Sequence, residues 1–200
     1  MSILFKAQTL LCLLALAACG EDPAGNADDL VPALLSVAER GDLPALDALL
    51  AESGSPDVRD ACRWTPLMKA ALNGHVEAVR HLLAAGAAPD AEDKGGYTAM
   101  MLAASNDHSE VVALLLEKGA MIDHQEATGG WTALIWAAKQ GHAQTVHTLL
   151  VRGADSTLRD FSGHSAAGWA GEGEHTDVLA LLAQDAEAPS ADSEDTTHGL

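Results

Sequence analysis

The sequence predicts an all-α repeat solenoid of about five stacked helix pairs. A phrase of the form Thr-x-Leu/Met-Met/Ile-x-Ala-Ala begins at Thr65 and returns at Thr98 and Thr132. A histidine recurs at a second fixed position, as His75, His108, His142 and His175. A Gly-Ala pair recurs at a third, at residues 86–87, 119–120 and 153–154. A period of about 33 residues is typical of solenoids, in which each unit packs against its neighbours.

The composition is that of an acidic, aliphatic protein. Lys and Arg number 11 against 29 Asp and Glu, a net charge of −18 that argues against nucleic-acid binding, which needs clustered cations. The 48% of hydrophobic residues is too high for a wholly disordered chain. Aromatic residues make up only 4%, so the core must be aliphatic and rich in Ala. Three cysteines cannot form a disulfide framework for 200 residues.

Residues 1–19 are predicted to be an export signal. Lys6 precedes an apolar run, residues 10–18, that is too short to cross a bilayer as a helix. The run ends in Leu-Ala-Ala-Cys, which resembles the lipobox of bacterial lipoproteins. The resemblance implies cleavage before Cys19, acylation of Cys19 and, with Gly20 as the second mature residue, delivery to the outer membrane. Ordinary secretion after cleavage behind Ala17 is the alternative.

Three segments follow the signal. Residues 20–29 are rich in Gly, Glu, Asp, Pro and Asn, which predicts a flexible tether. Residues 30–184 carry the repeats. Residues 185–200 are acidic and show no apolar periodicity, which predicts a disordered tail.

Each repeat is predicted to contain two helices. Thr65 is expected to cap the first helix and Pro66 to be its first residue. The Ala-Ala pair that follows lets neighbouring helices approach closely. The glycines that end the first helices, which should be left-handed, are Gly41, Gly74 and Gly141. Asp107 and Glu174 replace this glycine in two repeats, which predicts strained turns.

These phrases resemble the ankyrin repeat, whose signature is T-P-L-H-x-A at a period of 33 residues. The resemblance covers about residues 30–184 and implies five helix pairs, including two caps, with β-hairpin tips between them. Apolar packing must replace the signature histidine, because its position holds Met68, Met101, Ile135 and Gly168. The tip glycine is Arg63 in the first tip. One residue is inserted between Asp123 and Trp131, which should push that tip outward.

A row of ring residues is the best candidate for a binding site. The residues directly before each N-cap are Trp64, Tyr97, Trp131 and His164. The resemblance places this position at the base of the hairpins, facing a concave groove, among the variable binding residues of the family. Trp136 and Trp169 extend the candidate site onto the first helices. Rings that merely pack tip against tip are the alternative.

Acidic residues interleave with this row. Asp90 and Asp93 are candidates for a binding rim, and the other members are Asp60, Glu92, Asp123, Glu126 and Asp160. An aromatic floor with an acidic rim predicts a protein partner with a basic and partly apolar patch.

Catalytic, cofactor and metal sites are not expected. Residues 163–167 approach the nucleophile elbow G-x-S-x-G, but Ser165 stands at the N-cap position of its repeat, so a serine hydrolase is a remote alternative. The four phased histidines lie one repeat apart, too widely spread to share one zinc ion.

The sequence therefore predicts a non-enzymatic protein-binding module on the periplasmic side of the bacterial envelope, anchored to the membrane through Cys19. A solenoid offers an extended surface rather than an enclosed pocket. Short exported ankyrin proteins of bacteria are sometimes linked to oxidative-stress defence, so protection of an envelope protein is one version. An immunity or inhibitor protein that masks a basic toxin or enzyme is the alternative.

Overall fold

The computed structural model describes residues 30–187, which form ten α-helices in five successive pairs. The first helices of the pairs are α1 (Leu30–Arg40), α3 (Pro66–Leu72), α5 (Ala99–Ala104), α7 (Ala133–Gln140) and α9 (Ala166–Glu172). The second helices are α2 (Leu43–Ser53), α4 (Val76–Ala84), α6 (Ser109–Glu117), α8 (Ala143–Val151) and α10 (Thr176–Glu187). The predicted signal with Cys19, the tether and the tail beyond residue 187 lie outside the described residues.

The pairs stack in chain order. Each first helix contacts the first helix of the next pair, and each second helix contacts the next second helix. Every pair is also held together by contacts between its own two helices. This arrangement confirms the predicted all-α repeat solenoid with five helix pairs.

One continuous aliphatic core runs through the stack. Alanines of the first helices, such as Ala70, Ala103 and Ala137, are completely buried, and their small side chains let successive helices pack closely. The second helices contribute Val79, Leu82, Val112, Leu115, Val146 and Leu149, all of them fully buried. Met68, Met101 and Ile135 are at most 1% exposed, so apolar packing does replace the signature histidine in three repeats.

Left-handed residues end the first helices, as expected. Gly41, Gly74 and Gly141 have φ angles of 66°, 70° and 75°. Asp107 and Glu174 adopt the same conformation with φ of 59° and 58°, although a side chain makes it unfavourable. The Asp107 carboxylate accepts a hydrogen bond from the buried Thr145 hydroxyl at 2.8 Å. The side chain of Glu174 makes no hydrogen bond to a described residue. The left-handed conformation is therefore compensated by a side-chain hydrogen bond at Asp107 but not at Glu174.

The phased histidines are structural, as predicted. Each Nε2 bonds a backbone carbonyl near the end of the first helix of the preceding pair. The four acceptors are the carbonyls of Glu39, Leu72, Ser105 and Lys139, at 2.8, 3.1, 3.1 and 3.0 Å. Because a carbonyl can only accept, Nε2 must carry the hydrogen in each case.

The connections between pairs are tight hairpin turns without regular strands. Between residues 30 and 187 the backbone forms no β-strand and one isolated β-bridge, which joins Arg159 and Ser165. The predicted tips are present as hairpin turns, each closed by a backbone bond from the N–H of its first residue to the carbonyl of the ring residue, as from Asp60 to Trp64 and from Asp93 to Tyr97. The N–H of the ring residue bonds the carboxylate of that first residue instead of its carbonyl, so no regular ladder follows.

The last helix continues beyond the boundary predicted for the repeats. Residues 185–187, assigned to the acidic tail on composition, belong to α10. Asp185 accepts a hydrogen bond of 2.7 Å from the Ser156 hydroxyl, which ties this end of the helix to the preceding loop.

Candidate interaction surface

Each tip is organised by the acidic residue that begins it. In the first tip, the Asp60 carboxylate accepts the N–H groups of Cys62 and Trp64, both at 2.8 Å. Asp93 and Asp160 make the same two bonds in the second and fourth tips, at distances of 2.7 to 2.9 Å. The second bond always reaches the ring residue of the row. The carboxylate therefore positions that ring residue at the base of its tip.

The third tip absorbs its inserted residue through a longer acid. Glu126 replaces the aspartate, and its Oε1 accepts the N–H groups of Gly129 at 2.6 Å and Trp131 at 3.2 Å. The extra methylene of Glu spans the extra residue. The third tip remains joined to both neighbouring tips, because Ala127 N–H bonds the Gly95 carbonyl and Phe161 N–H bonds the Gly129 carbonyl. The expectation that the insertion pushes this tip outward is therefore wrong.

The ring residues of the candidate site lie together on one surface, which we call the aromatic face. It consists of Trp64, Tyr97, Trp131, Trp136, His164 and Trp169, all of them partly exposed. Trp131 is its centre, with ring centroids 4.5 Å from Trp136 and 5.1 Å from Trp169. Tyr97 extends the chain of rings from Trp136, and His164 extends it from Trp169, at 6.0 and 5.0 Å. Five of the six predicted residues, from Tyr97 to His164, thus form one continuous row of rings across three repeats.

Two lysines of the first helices lie over this face. The Lys139 ammonium is 4.1 Å from the Trp131 ring centroid and 4.0 Å from that of Trp169. Lys69 lies over Trp64 at 5.0 Å and forms an ion pair of 3.6 Å with Glu39. Sequence reasoning missed both lysines, although Lys139 follows Trp136 by three residues and therefore shares its helix face.

Three groups near this face have shifted pKa values. Burial lowers the pKa of Lys139, and the nearby carboxylates of Glu172 and Asp160 oppose that shift. Burial also raises the pKa of Asp93, against the hydrogen bonds from Tyr97 and Gly95 that lower it. Burial also tends to raise the pKa of Asp160. The hydrogen bonds that it accepts from His164 N–H, Trp169 Nε1–H and Ser162 N–H outweigh this effect, so the pKa of Asp160 is lowered.

The acidic residues predicted to form a rim serve the scaffold. Asp93 holds its own tip, and the Asp90 carboxylate accepts the Met121 N–H of the next repeat at 2.9 Å. Asp57 and Asp123 make equivalent links to Ala88 and Asp155. Sequence reasoning missed Asp57, although its spacing of one repeat from Asp90 and Asp123 could have revealed the set. Asp90 and Asp93 thus hold the scaffold, and their role in a binding rim stays a prediction.

The capping prediction is confirmed at three of four helices. Thr65, Thr132 and Ser165 accept the N–H of Met68, Ile135 and Gly168, respectively. Thr98 occupies the same position, but its hydroxyl is buried without a hydrogen bond. Ser165 is thus a helix cap, as the interpretation of residues 163–167 proposed.

From residue 30 to residue 187, no three His, Cys, Asp or Glu side chains come close enough to hold a metal ion. No helix in this range is long and apolar enough to cross a membrane.

Comparison with known families agrees with this architecture. A family model described as ankyrin repeats (3 copies) matches residues 34–126. A second, described as ankyrin repeats (many copies), matches residues 103–150. The search of curated proteins gives no match.

Proposed function

The chain belongs to the ankyrin-repeat family, and on that premise we propose that it is a non-enzymatic module that binds a protein partner on its aromatic face. Repeats of this family generally mediate protein–protein interaction. The observation that carries the proposal is the unbroken contact of rings from Tyr97 through Trp131 to His164 on a partly exposed surface. Trp and Tyr dominate the binding energy of many protein interfaces.

The structure also supports the face as a preorganised surface. The backbone of each ring residue in the row is held by the carboxylate of its tip, and the tips are joined to one another by backbone bonds. A surface held in this way loses little conformational entropy when a partner binds. This preorganisation supports a role of the rings in recognition in addition to packing tip against tip.

Site-specific crosslinking in intact cells tests directly whether a partner binds on the aromatic face. A photo-crosslinking residue at Lys94, an exposed position of the second tip, should capture the partner. The matched control is Glu110, an exposed position of α6 on the second-helix side. Capture from position 94 and not from position 110 supports the aromatic face. Capture from position 110 alone would contradict it.

A second candidate function is supported by the charge of the second helices. Their exposed residues include Glu77, Glu110, Glu117 and Asp177. An immunity or inhibitor protein could use this acidic side to mask a basic toxin or enzyme. Under this alternative, position 110 captures the partner, and the capture weakens as the ionic strength rises.

We further propose that the module is exported and anchored to the outer membrane through Cys19, where protection of an envelope protein against oxidative stress would be one role. The lipobox-like residues 16–19 support this location. Cys19→Ala should move the protein from the membrane fraction to the soluble fraction. Cys12→Ala, which lies within the apolar run, is the matched control and should stay in the membrane fraction. Unchanged fractionation of Cys19→Ala would contradict the lipid anchor.

A further inference from the structure

The most unusual charge on the aromatic face is the ammonium of Lys139. It lies about equally far from the ring centroids of Trp131 and Trp169, at 4.1 and 4.0 Å. No residue between 30 and 187 accepts a hydrogen bond from it or forms an ion pair with it within 4 Å. The two rings cover the ammonium on one side, and no group of residues 30–187 accepts from its N–H groups.

The two carboxylates near Lys139 are engaged elsewhere. Glu172 lies 3.4 Å from His164 Nε2. Asp160 accepts the Trp169 indole N–H at 2.8 Å with one oxygen and two backbone N–H groups with the other. Both carboxylates act on the ammonium electrostatically, but neither lies within 4 Å of it in this arrangement.

Lys69 provides an internal comparison on the same face. It also lies over a tryptophan ring, that of Trp64, at 5.0 Å. Unlike Lys139, it has an ion-pair partner, because Glu39 Oε1 lies 3.6 Å from its ammonium. Among the described residues, the fold thus places a carboxylate within 4 Å of the Lys69 ammonium and none within 4 Å of the Lys139 ammonium.

The chemistry of the Lys139 ammonium determines which group of a partner would complement it. An ammonium has three N–H donors and no acceptor, and a carboxylate gives the strongest complement to it. The cation–π contact with the rings compensates part of the desolvation but satisfies none of the N–H groups. The flanking Trp131 and Trp169 rings would pack against apolar groups on either side of that carboxylate.

We propose that Lys139, Trp131 and Trp169 form a subsite for a carboxylate side chain of the partner, an Asp or Glu flanked by aromatic or aliphatic residues. The proposal rests on the proposed function, since it specifies what the aromatic face binds. It replaces the expectation of a basic contact patch at this point of the surface. The net charge of −18 restricts the partner to an isolated carboxylate in an apolar setting, because an extended acidic surface would be repelled.

The experiment uses the full mature chain and two capped tripeptides, acetyl-Phe-Glu-Phe-amide and acetyl-Phe-Gln-Phe-amide. Binding is followed by the NMR signals of the Trp131 and Trp169 indole N–H groups. The Glu peptide should bind about tenfold more tightly than the Gln peptide, because it gains a charge-assisted hydrogen bond. Lys139→Met should abolish this preference, and the matched variant Lys69→Met should keep it.

Several outcomes would overturn the proposal. They are equal binding of the two peptides, no binding of either, and a Glu preference that survives in Lys139→Met. Tighter binding of acetyl-Phe-Lys-Phe-amide, improved further by Lys139→Met, would show that the rings take a cation that displaces Lys139. A Glu preference seen only after Asp192, Glu194 and Asp195 are replaced by their amides would identify the chain's own tail as the occupant.

Failure of this subsite can be distinguished from failure of the proposed function. If the peptides show no preference but the crosslink at position 94 still captures a partner, the aromatic face binds protein without a carboxylate contact at Lys139. If the crosslink also fails, the proposed function fails with it.

Discussion

The middle of the solenoid and its C-terminal end carry equivalent residues. Those residues have neighbouring repeats on both sides in the middle and on one side at the end. In the middle, Leu115 of α6 is fully buried, and α6 packs against second helices on both sides. At the end, the equivalent Leu182 of α10 is 5% exposed, and α10 has a neighbouring second helix on one side, α8. In a stack of repeats, stability comes from interfaces between neighbours as well as from each unit. Equivalent residues therefore contribute unequally.

The tips show the same difference. At Gly96, a β-carbon would lie 2.7 Å from the backbone nitrogen of Ala127 in the next tip. At Gly163, in the last tip, it would meet no atom within 4 Å. Both glycines are left-handed, with φ of 83° and 87°. Backbone conformation favours glycine at both positions, although Arg63 adopts it at the equivalent position of the first tip, with φ of 66°. Of Gly96 and Gly163, only Gly96 is also required by the approach of a neighbouring tip.

The largest effect on stability is expected from the core. Leu115→Ala should lower the free energy of unfolding by about 2–5 kcal/mol, because it leaves a cavity between two interfaces. Leu182→Ala should cost less, because the end of the stack can relax around the smaller side chain. Urea titrations of the two variants measure the difference. Equal losses of unfolding free energy would contradict the conclusion that interfaces between neighbouring repeats stabilise the middle more than the end.

The second effect concerns the tip glycines. Gly96→Ala should cost more than about 2 kcal/mol, since the left-handed penalty of about 1–2 kcal/mol adds to a clash with the third tip. Gly163→Ala should cost the left-handed penalty alone. Thermal unfolding of both variants gives the comparison, and a loss at Gly163 as large as that at Gly96 would show that tip contact is unimportant.

The third effect separates the two strained turns. Glu174→Gly should stabilise the protein by about 1 kcal/mol, because it removes left-handed strain and no side-chain hydrogen bond. Asp107→Gly should give no gain, because it leaves the buried Thr145 hydroxyl unsatisfied at a cost of about 1–3 kcal/mol. The stabilities are compared through the urea midpoints of unfolding. An equal rise of the midpoint in both variants would contradict this explanation.

The smallest effect compares two tip carboxylates at different pH. Because the pKa of Asp160 is lowered, its ionised form stabilises the fold above the ordinary carboxyl pKa, and this stability is lost as the pH falls through the lowered value. Because the pKa of Asp93 is raised, its ionisation opposes folding as the pH rises through that value.

Asp160→Asn should therefore cost about 1 kcal/mol at pH 7, by weakening charge-assisted bonds, and less at pH 3. Asp93→Asn should lose less than Asp160→Asn at pH 7, because both bonds to Asp93 reach one oxygen, which the amide oxygen can replace, whereas Asp160 uses both of its oxygens. The difference between each variant and the wild type, measured in urea from pH 3 to pH 7, checks both signs. A larger loss for Asp93→Asn at pH 7 would reverse the assignment.

Much of the scaffold follows from sequence spacing, and much of the site does not. The Thr-Pro step at residues 65–66 and the left-handed glycines specify where helices begin and end, because these are local requirements of the backbone. The tips could not be predicted in the same way. Asp93 could be recognised as acidic, but which N–H groups its carboxylate accepts depends on the turn that it helps to form.

The position of Lys139 illustrates a second limit. Its contact with Trp169 joins residues of two different repeats, and the direction of a long side chain across an interface is a property of packing rather than of spacing. The ring row itself was predictable, because its residues share one position in every repeat. The prediction that the insertion beside Trp131 displaces its tip is wrong, because Glu126, which replaces aspartate there, reaches across the extra residue.

The central claim is that the aromatic face binds the partner, and its middle and its end again provide the test. Trp131 contacts Trp136, Trp169 and Lys139, whereas Trp64 lies at the end of the face under Lys69. Calorimetric titration with the partner captured by crosslinking should show that Trp131→Ala weakens binding by at least about 2 kcal/mol, and Trp64→Ala by less. Circular dichroism should show that both variants remain helical. A folded Trp131→Ala protein that binds this partner with unchanged affinity would contradict the claim.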